Sequence, residues 1–274
     1  MVLAGGRSSR MGTPKAALEW HGSTLLRRTV GIISRATGGP VVVVRAAGQA
    51  LPALPAGVEV VEDPRDGKGP VQGIAAGLAV LAGRAETAFV SSTDMPFLHP
   101  AFVRRVLRAV QEGADVGLPV ARGYPQPLAA AYRTALAPVA ERLVRADRLR
   151  PAFLFEECVV SRLDEAVLRA DPVLAALDPG LDSVVNVNEP AEYQAARAQP
   201  APEVTVQRFG ALADGHRGPQ PVLAATVAEA AAAAGLALDG HVVAALNGDQ
   251  LTRDGETPLA AGDTVLFLSA DAGG

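Results

Sequence analysis

Leu3-Ala4-Gly5-Gly6-Arg7-Ser8-Ser9-Arg10-Met11-Gly12-Thr13-Pro14-Lys15 follows directly on Met1-Val2 and decides how the rest of the chain is read. A short apolar run runs into two adjacent glycines, two serines, two arginines and a lysine. Glycines permit close backbone approach, so successive N–H groups can face one phosphate. Arg10 and Lys15 add fixed positive charge where a polyphosphate would lie. The stretch is not a Walker A loop, because Lys15 is followed by Ala16 and not by Ser or Thr. Nor is it the dinucleotide fingerprint, since its second glycine is adjacent to the first. An ordinary polar strand-to-helix turn is the competing reading at this point.

The 274 residues exceed the usual size of one domain, so one large or two unequal domains are expected. With 49% hydrophobic and 20% charged residues the composition is that of a soluble globular protein. The net charge of −4, without a long basic block, gives no support to generic nucleic-acid or anionic-membrane binding. One cysteine, Cys158, excludes an internal disulfide and a multi-cysteine zinc site. Its apolar neighbours Val159 and Val160 suit a half-buried structural thiol better than a nucleophile. The four histidines lack metal-ligand spacing. With no leader-like segment and no long uncharged apolar span, a cytoplasmic location is expected.

Along the chain, apolar runs alternate with helical patterns. Ser23 is expected to cap a helix carrying Leu25, Leu26, Val30 and Ile33, closed by Gly38-Gly39. Val41–Val44, Val58–Val61, Ala88–Ser92, Val116–Val120 and Leu128–Tyr132 read as strands, with helices from Pro70, from Pro100 and over Leu136–Leu143. Residues 145–182 carry a mixed pattern, and Val184–Asn188 reads as a short strand ending at Pro190. This rhythm implies an α/β domain with a mainly parallel sheet. Ligands of such sheets sit beyond the carboxyl ends of the strands, so the loops after Ala4, Val61, Ser92 and Val187 are expected to share one rim. Residues 198–203 read as a proline-rich linker between residues 1–197 and 204–274. The latter carry a strand at Val204–Phe209, a capping box at Thr226–Glu229, a hairpin turning at Asn247-Gly248 and a last strand at Val265–Leu268. That order describes a small α+β domain.

Asp94 stands just past a buried strand, with Pro96 fixing the chain beyond it, where a carboxylate can hold Mg²⁺ alongside substrate phosphates. A turn aspartate is the alternative. Asn186 and Asn188, two apart in a strand, would share one face and could grip a ligand or complete a metal shell; local hydrogen bonding is the alternative. Asp63 could accept from a base or ribose, or serve only as a turn residue before Pro64. Gly69-Pro70 would let backbone approach a nucleotide, although this pair also marks ordinary turns. Gln126 is a weaker candidate for a second substrate. Gly273-Gly274 is either a plain flexible end or a tail slender enough to thread into a partner's active site.

Taken in order, Leu-Ala-Gly-Gly-Arg-Ser-Ser-Arg-Met-Gly with Lys15, Val-Glu-Asp63, Gly69-Pro70, Ser-Thr-Asp94-Met-Pro and Asn186-Val-Asn188-Glu-Pro resemble the molybdenum cofactor guanylyltransferases (MobA) over roughly residues 1–197. Residues from about 203 on are similar to the ubiquitin-like sulfur carriers MoaD and ThiS, through the starting strand, Gly262-Asp263-Thr-Val-Leu-Phe-Leu and the final Gly-Gly. The resemblance implies a Rossmann-like nucleotidyltransferase fold joined to a β-grasp domain. It implies Mg²⁺-dependent transfer of GMP from GTP to molybdopterin, with Leu3, Ala4 and Gly5 at the base and ribose edge and Gly6, Arg10 and Lys15 on the triphosphate. Asp63 and Gly69 would contact the nucleoside, Asp94 would carry Mg²⁺, and Asn186 and Asn188 would lie near the reacting phosphates and the pterin. Gly274 would be adenylated and thiocarboxylated by a MoeB-like activating enzyme and would serve a MoaE-like large subunit of molybdopterin synthase. Cytidylyl transfer, another nucleotidyl transfer, and a sulfur carrier with an inactive large domain are the alternatives. Two departures stand out: only Met1 and Val2 precede Leu-Ala-Gly-Gly, and Val44-Arg45 stand where the family often has an asparagine.

Overall fold

The computed structural model describes residues 1–5, 13–63, 69–213 and 218–270. Gly6, Arg10, Gly273 and Gly274 lie outside them. The chain divides into two compact units, residues 1–18 with 24–193, and residues 19–23 with 194–274.

The first unit is built on a seven-strand path. In chain order its strands are β1 (Val2–Leu3), β2 (Val42–Ala46), β3 (Glu59–Asp63), β4 (Thr87–Ser92), β5 (Val116–Ala121), β6 (Ala129–Arg133) and β7 (Val160–Leu163). Their spatial order is β7-β5-β6-β4-β1-β2-β3, and a two-residue strand, Tyr124–Pro125, hairpins against β5. Strand β1 is central and parallel to both neighbours, with Val2 opposite Val43 on one side and Ser91 on the other. β6 alone on this path runs antiparallel to its neighbours β4 and β5. The expected mainly parallel sheet is therefore observed, interrupted by one reversed strand. Runs such as Val42–Val44 form central strands because both sheet faces are covered, so no alternation with polar residues is needed.

Helices α1 (Leu25–Thr37), α2 (Pro70–Leu81), α3 (Pro100–Gln111), α4 (Ala137–Arg145) and α5 (Pro190–Arg197) join shorter helices at Pro151–Phe155, Glu165–Arg169 and Pro172–Leu177. Thr24, and not Ser23, caps α1 by accepting from the Arg27 N–H at 3.2 Å. Ile74 and Leu78 of α2 are fully buried together with Val42, Val90, Leu118 and Tyr132 of the sheet. Burying one such side chain stabilises the fold by about 1.5–3 kcal/mol. α3 buries Phe102, whose ring meets Phe89 of β4 edge to face at 6.4 Å. The segment 184–188, expected to be a strand, holds no ladder; a 3₁₀ turn, Asp182–Val184, leads into an extended strap. A strand pattern without a neighbouring edge to pair with cannot become a strand.

The second unit has strands β8 (Glu203–Arg208), β9 (Gln220–Leu223), β10 (Val242–Leu246), β11 (Gln250–Thr252) and β12 (Thr264–Ser269), in the spatial order β9-β8-β12-β10-β11. β8 and β12 are parallel, and the other pairs are antiparallel. Helix α6 (Val227–Ala233) buries Val227, Ala230 and Ala231 against Val206, Leu246 and Phe267. Its cap is reciprocal: Thr226 accepts from the Glu229 N–H, and Glu229 accepts from the Ala225 N–H at 2.7 Å. Asn247 and Gly248, at φ 50° and 84°, make the hairpin turn that their sequence announces. No helix among the described residues is long and apolar enough to cross a membrane.

A close helix–sheet approach in the first unit depends on Gly117 of β5. A Cβ there would stand 2.7 Å from the Val106 carbonyl oxygen and 3.0 Å from the Ala109 Cβ, both on α3. Gly117→Ala must push helix from sheet, and a loss of about 1–3 kcal/mol is expected in urea unfolding. An unchanged midpoint would contradict this packing.

Candidate active site

The site begins where β1 ends. Ala4 continues the ladder, its N–H donating to Val44 at 2.8 Å, and Gly5 beyond it is exposed. A Cβ on Gly5 would lie 3.3 Å from the Ala46 nitrogen, so the small residue lets this backbone run close to β2. Leu3 faces α2, where Gly73 leaves room for its methyl groups; a Cβ at Gly73 would be 3.2 Å from one of them.

Thirteen residues downstream of Val2, Lys15 opens a 3₁₀ turn after Pro14. Its ammonium donates to Asp94 Oδ2 and to Asn188 Oδ1, each at 2.8 Å. These partners are 79 and 173 residues away in sequence. The Lys15 and Asp94 side chains are each 18% exposed, shielded enough for the pair to hold yet open to a ligand. Asp94 is locked from its other side, because Ser92 Oγ donates to Asp94 Oδ1 at 2.5 Å. Its carbonyl accepts from the Val187 N–H at 2.9 Å, which ties the strap to the end of β4.

That strap is braced twice. The buried Asp178 carboxylate accepts from the N–H groups of Asp182 and Ser183, and Ser183 Oγ accepts from the His99 N–H at 3.0 Å. Burial holds the Asp178 carboxyl above its ordinary pKa, against the lowering effect of those hydrogen bonds. At the far end, Glu192 Oε2 accepts from the N–H groups of Asn188 and Glu189 at 2.7 and 3.1 Å. This is the backward arm of a capping box on α5. It fixes the backbone that presents the Asn188 amide to Lys15. The loop after Asp94 is held by Arg28 of α1, a buried side chain whose Nε donates to the Pro96 carbonyl at 2.6 Å.

Asp63, at the end of β3, accepts from the carboxamide of Gln72, which is buried in the first turn of α2. Helix α2 starts from Gly69 at φ 100°, a conformation that disfavours any side chain, and a Cβ there would stand 3.1 Å from the Leu149 carbonyl oxygen.

The expected residues thus fall into distinct groups. Lys15, Asp94 and Asn188 meet directly. Asn186 is exposed on the same strap and takes no part in that cluster, although the pairing of exposed asparagines around a buried Val187 survives without a strand. Leu3 ends β1 with Ala4 and Gly5 directly beyond it, and Asp63 is engaged with Gln72. Gln126 is committed to its own hairpin, donating to the carbonyls of Ala121 and Tyr124. Cys158 donates to the Leu154 carbonyl, and burial, reinforced by Asp115 and Glu157, pushes its thiol up to about 11. It is a poor nucleophile at neutral pH. Arg28, Ser92, Gln72, Asp178 and Glu192 carry no recognisable motif, and only the Glu three positions after a helix cap signals Glu192.

The geometry is that of a cation-organised, oxygen-rich rim at the carboxyl ends of parallel strands. Residues 1–166 match the family model described as the MobA-like NTP transferase domain. A probable molybdenum cofactor guanylyltransferase of Mycobacterium bovis (strain BCG / Pasteur 1173P2) is 41% identical over 160 residues, 57% of this chain and 78% of that protein. One from Pelotomaculum thermopropionicum is 32% identical over 198 residues, 72% of this chain and 90% of its own. The fold is similar to that of molybdopterin-guanine dinucleotide biosynthesis protein A from Archaeoglobus fulgidus, with a TM-score of 0.54, 23% identity, and coverage of 72% of this chain and 95% of that one.

Proposed function

This chain belongs to the family of MobA-like NTP transferase domains, and we propose that its reaction is transfer of GMP from GTP to the terminal phosphate of molybdopterin. It is a nucleotidyltransferase. The observation that supports the finer reading is the convergence of Asp94 and Asn188 on the Lys15 ammonium, each accepting from it at 2.8 Å, at the rim of the sheet.

In this reaction a terminal phosphate oxygen of the pterin attacks the α-phosphorus of the nucleotide in line. One P–O bond forms as the α–β bridging P–O bond breaks, and pyrophosphate leaves with the electron pair. The protein supplies positioning and charge, and no covalent nucleophile is needed. The Lys15 ammonium is placed to neutralise charge on the α-phosphate and leaving group; Arg10 would add to it. Leu3–Gly5 and Asp63 would hold the nucleoside, with Gly69 admitting it close to the start of α2. Asn186 and Asn188 would face the acceptor.

Asp94 and Asn188 fit a divalent cation of the Mg²⁺ type, because their oxygens already turn toward one shared positive charge. Bound there with nucleotide, the ion would neutralise phosphate charge. The ammonium and a metal ion compete for the same oxygens, so Lys15 is expected to leave Asp94 for the phosphates when a metal–nucleotide complex binds.

Pyrophosphate release with molybdopterin and GTP, CTP, ATP or UTP tests this reading. GTP should be preferred, and Asp94→Ala should lose about 10²–10³-fold in turnover, the usual cost of one charge-stabilising group. Preference for CTP would make the chain a cytidylyltransferase. Near-wild-type activity of Asp94→Ala would remove the metal assignment.

A second reading concerns residues 204–274, for which we propose a ubiquitin-like sulfur carrier of the MoaD type. Numbered within their own unit, the five strands lie in the order 2-1-5-3-4, with a helix between the second and third strands. This order supports the β-grasp reading that the resemblance implies. Intact-mass measurement after incubation with ATP, a MoeB-like activating enzyme and a sulfur donor should show one oxygen replaced by sulfur. No gain with a competent activator, or an equal gain after deletion of Gly274, would contradict it.

A further inference from the structure

The ladder between β1 and β2 breaks at one rung, and a side chain fills the break. With Leu3 opposite Val44, and with the Ala4 N–H donating to the Val44 carbonyl, a regular parallel ladder would next carry the Ala46 N–H to the Ala4 carbonyl. Instead the carboxamide of Gln49 stands between them. The Ala46 N–H donates to Gln49 Oε1 at 3.0 Å, and Gln49 Nε2 donates to the Ala4 carbonyl at 2.9 Å. An amide group has the donor and acceptor of a peptide unit, so it replaces the rung without leaving a backbone group unpaired. It also sets the separation of the two strands by its own width.

The clip is itself rigid. The Gln49 N–H closes a turn onto the Ala46 carbonyl at 3.0 Å, and Arg45 Nη1 donates to the Gln49 carbonyl at 2.8 Å. Arg45 is in turn paired with Glu62 of β3 at 2.8 Å. Arg45, which stands where the resemblance leads one to look for an asparagine, is thereby occupied in holding Gln49.

We infer that Gln49 is a positioning residue for the base edge of the nucleotide site, fixing the Ala4 carbonyl and the direction in which Gly5 leaves the sheet. This rests on the reading that Leu3–Gly5 receive the nucleoside. The clip lies at the end of β1, whereas charge on the triphosphate falls to Lys15. The consequence is a separable effect on nucleoside and phosphate recognition.

Gln49→Ala removes the clip. Gln49→Glu keeps an acceptor for the Ala46 N–H but loses the donor to Ala4. Both variants should raise KM for GTP about tenfold with kcat within about twofold, equal to a loss of ~1.4 kcal/mol in binding. Inhibition by inorganic pyrophosphate should be unchanged in both variants, a result that general loss of the fold would not give. Equal weakening of GTP and pyrophosphate, or an unchanged KM for GTP in either variant, would overturn the inference. If the unaltered protein binds no nucleoside triphosphate in calorimetric titration, the base-edge reading fails and the inference falls with it. If it binds GTP and Gln49→Glu binds equally well, only the inference fails.

Discussion

One ammonium group organises this site. Lys15 Nζ lies 2.8 Å from both the Asp94 carboxylate and the Asn188 carboxamide, and so draws together the segment after β1, the end of β4 and the strap before α5. Side chains this far apart in sequence meet only because the sheet places the carboxyl ends of β1 and β4 side by side. The dependence runs both ways. Ser92, Arg28, Asp178 and Glu192 spend their hydrogen bonds on holding Asp94, its following loop and the strap in place. Polar partners of this kind set the geometry that charge stabilisation of a phosphoryl transfer requires.

The central strand illustrates how little regular structure that task needs. β1 has two residues, yet it is hydrogen-bonded on both edges and packed beneath α2. Where it ends, the Gln49 carboxamide bridges Ala4 to Ala46 of β2, and Gly5 runs close past the same Ala46. The second unit shows the same economy. Small alanines of α6 let a short helix lie close on a five-stranded sheet around Phe267.

Much of this was legible in the residues, for physical reasons. Strands buried on both faces must be apolar runs, so β2, β4 and β5 could be read directly. Helices α1 and α3 carry clear apolar stripes and end signals. β9 carries no strand signal in its sequence because Pro221 interrupts it, and a proline is tolerated there only because the strand lies at a sheet edge. Residues 145–182 were opaque because helices of five or six residues are too short to show a period; Asp164 and Asp171 cap two of them. In the site, Lys15, Asp94 and Asn188 stood out through charge, position and spacing. Gln49 and Gln72 did not, since an amide side chain gains its meaning from a partner that only the fold supplies. The strap at 184–188 carries a strand pattern without being a strand, because alternating exposure also arises in an extended segment held at a few points.

We propose that Lys15, Asp94 and Asn188 form a single cation-binding cluster, which the ammonium holds until metal and nucleotide arrive. Its most direct test is Mn²⁺ binding without nucleotide, followed by the paramagnetic resonance of the free ion. Removing the competing charge with Lys15→Met should tighten Mn²⁺ binding severalfold, and Asp94→Asn should abolish the gain. Unchanged or weaker Mn²⁺ binding in Lys15→Met would contradict the claim.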